Sequence, residues 1–408
     1  MNVWALALRN VRRNRRRSLL TAGIVVFGFA AFALAGGFIS QTFEGLKDGT
    51  IRGGVGHLQV ARRETFSGAE ERTLEHGISD VERVEGVIRK DPAVAAVLPR
   101  IDFVGLVSNG NRSVPYLGVG FDPVDEAKNM ETRTLLASGR WFAGPDEISV
   151  VLGTGLAGAV GAKAGDTVTV FGTTPDGVLN AIDATVAGLA ELPVKELNDR
   201  YLATTIPAAA KLLDVGGTVS KLVVMLKRGE RAEDAAPRLR NALAASGTPL
   251  DVKTWRELAL FYNQVRMLYA GIFGFMGAVL VIVVLLACAN TMTMAAAERT
   301  REIGTLRAIG TPPGKVRAMF VAEGVMLALA GSLAGAGLAL LVRAGLNASH
   351  IMLPPPPGAS HGTPIHVAFY PLTYVAGLAA MLATLAAASY FPARRASRVP
   401  IVEALAHV

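Results

Sequence analysis

Four apolar runs, each long enough to cross a lipid bilayer, decide what this chain can become. They cover residues 18–39, 268–293, 321–342 and 372–391. A hydrocarbon core needs about 20 apolar residues in helical form, and only helices or closed barrels satisfy every backbone group there. The runs are unevenly spaced. Residues 40–266 stand between the first and the second, enough for a domain with its own core. Aromatic residues make up only 6% of the chain, so glycine and alanine do much of the filling, as close helix packing in lipid favours.

Charge assigns the sides. Arg9, Arg12, Arg13, Arg15, Arg16 and Arg17 precede the first run, and Arg299, Arg301, Arg307, Lys315 and Arg317 join the second to the third. Arg394, Arg395 and Arg398 follow the fourth, whereas the third and fourth are joined with only Arg343 between them. The positive-inside rule therefore places both termini and the charged connection in the cytoplasm, with 40–266 outside. Residues 41–261 carry 25 Lys plus Arg and 29 Asp plus Glu, while the whole chain is +8. The basic excess thus belongs to the membrane flanks and suits anionic head groups. It offers no basic surface domain for nucleic acid. The first run is longer than a secretory signal core, so it reads as a retained anchor. Trp4, Leu8 and Val11 on one face make residues 1–17 an interfacial helix.

The block outside reads as mixed α and β. "GHLQVAR" (56–62) is strand-like, and "SDVERVEGVIRKD" (79–91) is a helix for which Ser79 is the expected cap. Residues 93–111 return to strand and end in the turn pair Asn109-Gly110. The order repeats in "KLVVMLKRG", "RAEDAAPRLRNALAASG" and "LDVKTW". Two βαβ-like units predict a split βαβ layer, with a strand-rich insert over about 113–219. Four prolines in "PPPPGASHG" (354–362) predict a stiff, extended connection.

Catalytic signals are poor. "GTPPGKV" (310–316) has three residues between its glycines and Val after Lys, so it is not a phosphate loop; a helix break, with Thr311 as cap, is the better reading. Gly153-Thr154-Gly155-Leu156-Ala157-Gly158 matches a bare GxGxxG, without the expected strand and helix around it or an acidic ribose partner. His350, His361 and His366 read as surface residues, not metal ligands. The single cysteine, Cys288, excludes an intramolecular disulfide. Glu323, near the start of the third run, is expected to pair with Arg317 or Arg299 rather than bind a substrate or proton.

The most specific segment is "ERTREIGTLRAIGTPPGK" (298–315), a short charged helix pinned between two membrane segments. With "VRAMFVAEGVMLALAGSLAGAGLAL" after it, this segment resembles the FtsX/MacB-type permease domain of ABC transporters, a group that includes lipoprotein-releasing LolC and LolE. The N-terminal "LALRNVRRNRRRSLLT" and the C-terminal "YFPARRASRVPIVEALAHV" agree in order. So do "GVGFDP", "EISVVLGTGLAGAVGAKAGDTVTV" and "VKTWREL" in the block outside.

The resemblance implies an α-helical membrane protein of four transmembrane helices, with a large α+β periplasmic domain, Porter/Sabre-like, inserted between helices 1 and 2. The implied layout is an interfacial helix (1–17), spans at 18–39, 268–293, 321–342 and 372–391, a periplasmic domain (40–266), a coupling segment (294–320), a periplasmic loop (343–371) and a cytoplasmic tail (392–408). It implies a bacterial inner-membrane permease that passes ATPase motion to its periplasmic domain to extract or export a lipoprotein, lipid or amphipathic substrate. An FtsX-like signalling protein that regulates a cell-wall hydrolase is the alternative, and the large outer domain favours transport. No cofactor is implied in this chain: ATP and Mg belong to a separate ATPase subunit. The other implied partners are a second or sister permease, a periplasmic adaptor, chaperone or lipoprotein, and membrane lipids. The implied coupling residues are Glu298, Arg299, Arg301, Glu302 and Arg307, which would bond to the ATPase, and Ile303, Leu306 and Ile309 as an apolar ridge.

Overall fold

The computed structural model describes residues 3–13, 15–67, 74, 76–130, 135–192, 194–352 and 365–406. The chain divides into two compact units: residues 1–44, 265–352 and 364–408 form a helical unit, and 45–264 form an α/β unit. The proline-rich segment 354–362, with His361, lies outside the described residues.

The chain opens with α1 (Val3–Arg13) and α2 (Arg15–Thr50). Trp4 and Leu8 are exposed on α1, while Ala7 is fully buried, so the face turned into the unit is not the Trp4–Leu8 face.

The α/β unit begins with β1 (Leu58–Ala61), α3 (Val81–Ile88) and β2 (Val94–Ser108). Ser79 is not the cap of α3: Asp80 holds that position, without a side-chain bond. There follow β3 (Ser113–Phe121), α4 (Pro123–Asn129), β4 (Leu136–Gly139), β5 (Ser149–Gly153), α5 (Thr154–Val160), β6 (Thr167–Thr173) and β7 (Leu179–Ala190). Then come α6 (Lys195–Asn198), β8 (Tyr201–Thr205), α7 (Ile206–Leu213), β9 (Lys221–Leu226), α8 (Ala232–Ala245), β10 (Asp251–Thr254) and α9 (Trp255–Leu258).

Strand pairing runs β10-β1-β9-β2. β9 is antiparallel to both β1 and β2, so β1 and β2 are parallel with a strand between them. This is the split βαβ arrangement that two βαβ-like repeats predict. Val84 and Ile88 of α3 and Leu239 and Leu243 of α8 share its apolar core with Leu58, Val60, Val97, Leu222 and Val224.

β2 does double duty. Val94 to Arg100 pair with β9, and Ile101 to Ser108 pair with β3. The insert therefore includes the second half of β2 and does not begin at residue 113. From there the pairings β2–β3–β8–β5–β7–β6 return to β2, closing a ring of six strands. At the changeover, Arg100 turns inward, and its Nη2 donates to both carboxylate oxygens of Glu126 at 2.7 and 2.9 Å. Both side chains are buried.

The helical unit continues with α10 (Leu260–Glu298), α11 (Thr300–Ala308), α12 (Pro313–Ser349), α13 (Pro371–Ala396) and α14 (Ile401–Ala406). Among the described residues, four helices, within α2, α10, α12 and α13, are long and apolar enough to cross a membrane. α2, α10 and α12 have 36, 39 and 37 residues. At about 1.5 Å per residue each exceeds a hydrocarbon core of roughly 30 Å, so they outrun the apolar stretches in the sequence. Val25, Phe29, Ala33, Val284, Cys288, Leu327, Met381 and Leu385 pack together between them.

Candidate functional site

The charged segment folds as a corner. α10 ends at Glu298, and Arg299 breaks the helix with φ −106° and ψ 14°. α11 then runs for nine residues. It is closed by Gly310, whose φ of +93° a side chain would resist. The Gly310 amide donates to Arg307 O and the Thr311 amide to Leu306 O, each at 3.0 Å, a Schellman closure. Thr311 thus contributes its backbone and does not cap the next helix. Pro312 holds the cap position of α12 with no side-chain bond, and Pro313 opens the helix.

A helix of nine residues is too short to persist alone, so its surroundings hold it. Glu298 accepts from Arg17 at 2.7 Å and Glu302 from Arg13 at 2.5 Å. Two glutamates four residues apart therefore meet two arginines four residues apart. The Arg299 guanidinium turns inward to Glu323 of α12 at 3.0 Å, with side-chain exposures of 4% and 6%. Ile303 is buried among Ala296, Val316, Met319, Phe320 and Ala393. Arg307 donates to the carbonyl of Val399, just before α14.

The sequence-derived residues consequently separate. Arg299 and Ile303 are internal and cannot touch a soluble partner; the expected ridge of Ile303, Leu306 and Ile309 does not exist as one surface, because only Ile303 is buried, Leu306 is half-buried and Ile309 is 73% exposed. Three-residue spacing drifts round a helix of 3.6 residues per turn. Glu298, Glu302 and Arg307 are engaged within the chain. The outward stripe is Arg301, Thr305, Ala308 and Ile309. Arg301 has no side-chain partner among the described residues. Thr305 and Ala308 were missed, although spacings of four and seven from Arg301 signal a shared face. Of the two expected partners, Arg317 and Arg299, Glu323 pairs with Arg299.

Elsewhere, chemistry is sparse. The GxGxxG match does lie between a strand, β5, and a helix, α5, contrary to the sequence reading. Its glycines, however, face protein. A Cβ on Gly153 would lie 2.0 Å from Asn198 O, and one on Gly155 would lie 1.9 Å from Asp199 Oδ1. The close turn at 195–199 thus fills the space a phosphate would need. Gly358-Ala359-Ser360-His361-Gly362 spells GxSxG, contrary to the sequence reading that the motif does not occur, and lies outside the described residues. No cluster of metal-binding side chains occurs among the described residues.

Comparison with known proteins finds two family domains in the chain. Residues 18–242 match the MacB-like periplasmic core domain and residues 274–401 the FtsX-like permease C-terminal domain. The lipoprotein-releasing system transmembrane protein LolC of Xylella fastidiosa (strain 9a5c) is 26% identical over 374 residues, covering 85% of each chain. The ABC transporter permease MJ1507 of Methanocaldococcus jannaschii is 26% identical over 212 residues, 51% of each. The periplasmic region of MacB from Actinobacillus actinomycetemcomitans aligns with 50% of this chain and 92% of its own at 14% identity and a TM-score of 0.37. One family domain spans more than half of the chain and the other takes in the charged corner with its flanking helices, so the protein belongs to the FtsX-like, MacB/LolC-type family of ABC transporter permeases.

Proposed function

We propose that the chain is a non-catalytic permease subunit of a bacterial inner-membrane ABC transporter working by mechanotransmission. In this reading both termini and α11 are cytoplasmic, the α/β unit is periplasmic, and its split βαβ and ring portions are the Porter and Sabre subdomains. A separate ATPase grips α11 in a dimer of permeases. Closure of the ATPases on ATP then moves the spans, and the outer domain extracts or expels a lipoprotein, lipid or amphipathic molecule. The release of lipoproteins by LolC relatives supports that substrate class.

One observation carries the reading. α11 is fastened to its own unit on the inner side, while Arg301, Thr305, Ala308 and Ile309 stay on its outer side. A short helix fastened this way transmits a push, and an exposed cation near one end of the outer side with an exposed isoleucine at the other suits an acidic-rimmed apolar groove on a soluble partner. The tagged chain, solubilised from its native membranes, should retain an ATP-binding-cassette subunit through purification. Arg301→Glu with Ile309→Asp should lose that subunit while eluting and melting as the parent does. Parent protein purified without any ATPase would sink the proposal.

A further inference from the structure

The Arg299–Glu323 pair is more than a way of hiding charge. Arg299 is the only residue between α10 and α11, and Glu323 lies ten positions into α12, so the bond ties the corner to a point well along the next helix. Both side chains are almost fully buried, where a pair of apolar residues would serve stability as well or better. What an ion pair adds is position, because it is satisfied in one alignment only. Ile303, the other inward anchor, packs in a cluster with Ala296, Val316, Met319, Phe320 and Ala393, and apolar contacts of this kind are non-directional.

The guanidinium is also under-used. Among the described residues, Arg299 Nε and Nη2 are buried without an acceptor, and so is Nη1 of Arg17, which reaches Glu298 next to Arg299. Stability alone would select against such idle buried donors. They leave Glu323 as the one side-chain acceptor, among the described residues, that fixes where the Arg299 guanidinium sits.

We propose that Glu323 is a positioning residue for coupling: by holding Arg299 it sets the alignment of α11 on α12, so that a displacement of α11 is delivered to α12 and not absorbed at the Arg299 and Gly310 turns. The proposal rests on the function assigned above, but its core is a property of this chain alone and can be read without a partner.

The test uses the full chain in lipid nanodiscs, with Cys288→Ala and nitroxide labels at Thr305→Cys on α11 and Leu333→Cys on α12, both exposed sites. The labelled chain, free of any ATPase, should give one narrow label-to-label distance. Glu323→Gln should lose that single distance and broaden it. Arg299→Met with Glu323→Leu removes both charges without stranding either; it should insert and fold yet still lose the narrow distance. Exchange of the two charges, Arg299→Glu with Glu323→Arg, should recover it in part. A distance as narrow in the Met/Leu variant as in the parent would overturn the proposal, since packing around Ile303 would then set the alignment. Absence of a co-purifying ATPase would instead count against the function and leave the distances without nucleotide to judge the latch.

Discussion

At the scale of single residues, the decisive facts concern which way a charge points. Arg299 and Arg301 are two positions apart in one motif, yet one is sealed inside and the other faces out. Composition and spacing identify the motif but not this division, because neighbouring side chains on a helix diverge by about 100° and the packing partner chooses the inner one. Arg100 and Glu126 behave alike in the other unit. Their burial means that Glu126→Gln leaves a stranded cation, which is expected to cost about 3–5 kcal/mol and to show as a clear fall in the denaturation midpoint of the full chain. A second pair offers a pH signature. The Arg140 guanidinium donates to both oxygens of Glu147, one bond being 3.1 Å, and holds its carboxyl down to about 2 from an ordinary 4.5. Because the folded carboxyl titrates below its unfolded value, this strap contributes fully above pH 4.5 and fades as pH falls toward 2. The difference in thermal midpoint between the parent and Glu147→Gln should accordingly be constant near neutrality and shrink below pH 4.5.

At the scale of elements, alternation and helical period were good guides to what forms and poor guides to where it ends. The strand 93–111 and the repeated strand-helix-strand pattern are legible because their side-chain periods are local. That β2 belongs to two sheets is not local information. Its second half lies in the ring, with Gly105 opposite Gly172 where Tyr116 Oη donates to Phe171 O at 3.0 Å. A Cβ on Gly105 would lie 1.9 Å from Phe171 O and 2.8 Å from Tyr116 Oη. Gly105→Ala must push these strands apart and should cost about 1–3 kcal/mol, the range for overpacked sites. Glycine at exposed Gly110, where nothing lies within 4 Å, is expected to matter through its turn alone. Differential scanning of the two variants would separate crowding from turn strain.

For the whole molecule, the division into four spanning helices and one large inserted domain makes a topological demand. α11 and the α/β unit must lie on opposite sides of the membrane if the former is to be driven from the cytoplasm. In a Cys288→Ala background, a membrane-impermeant maleimide applied from outside should label Asn111→Cys, at the tip of the β2–β3 hairpin, and not Thr305→Cys until the membrane is opened. Labelling of both from the same side would end the mechanical account. The sequence by itself determined the number of apolar helices, the charge bias of their flanks and the split βαβ order, because each follows from periodicity or content within short windows. Only the tertiary structure decided that the strands close into a ring, that Arg13 and Arg17 neutralise Glu302 and Glu298, and that Glu323 takes Arg299 out of the exposed set. Those outcomes depend on residues tens to hundreds of positions apart coming within bonding distance, and no local pattern encodes a partner that the rest of the fold must first deliver.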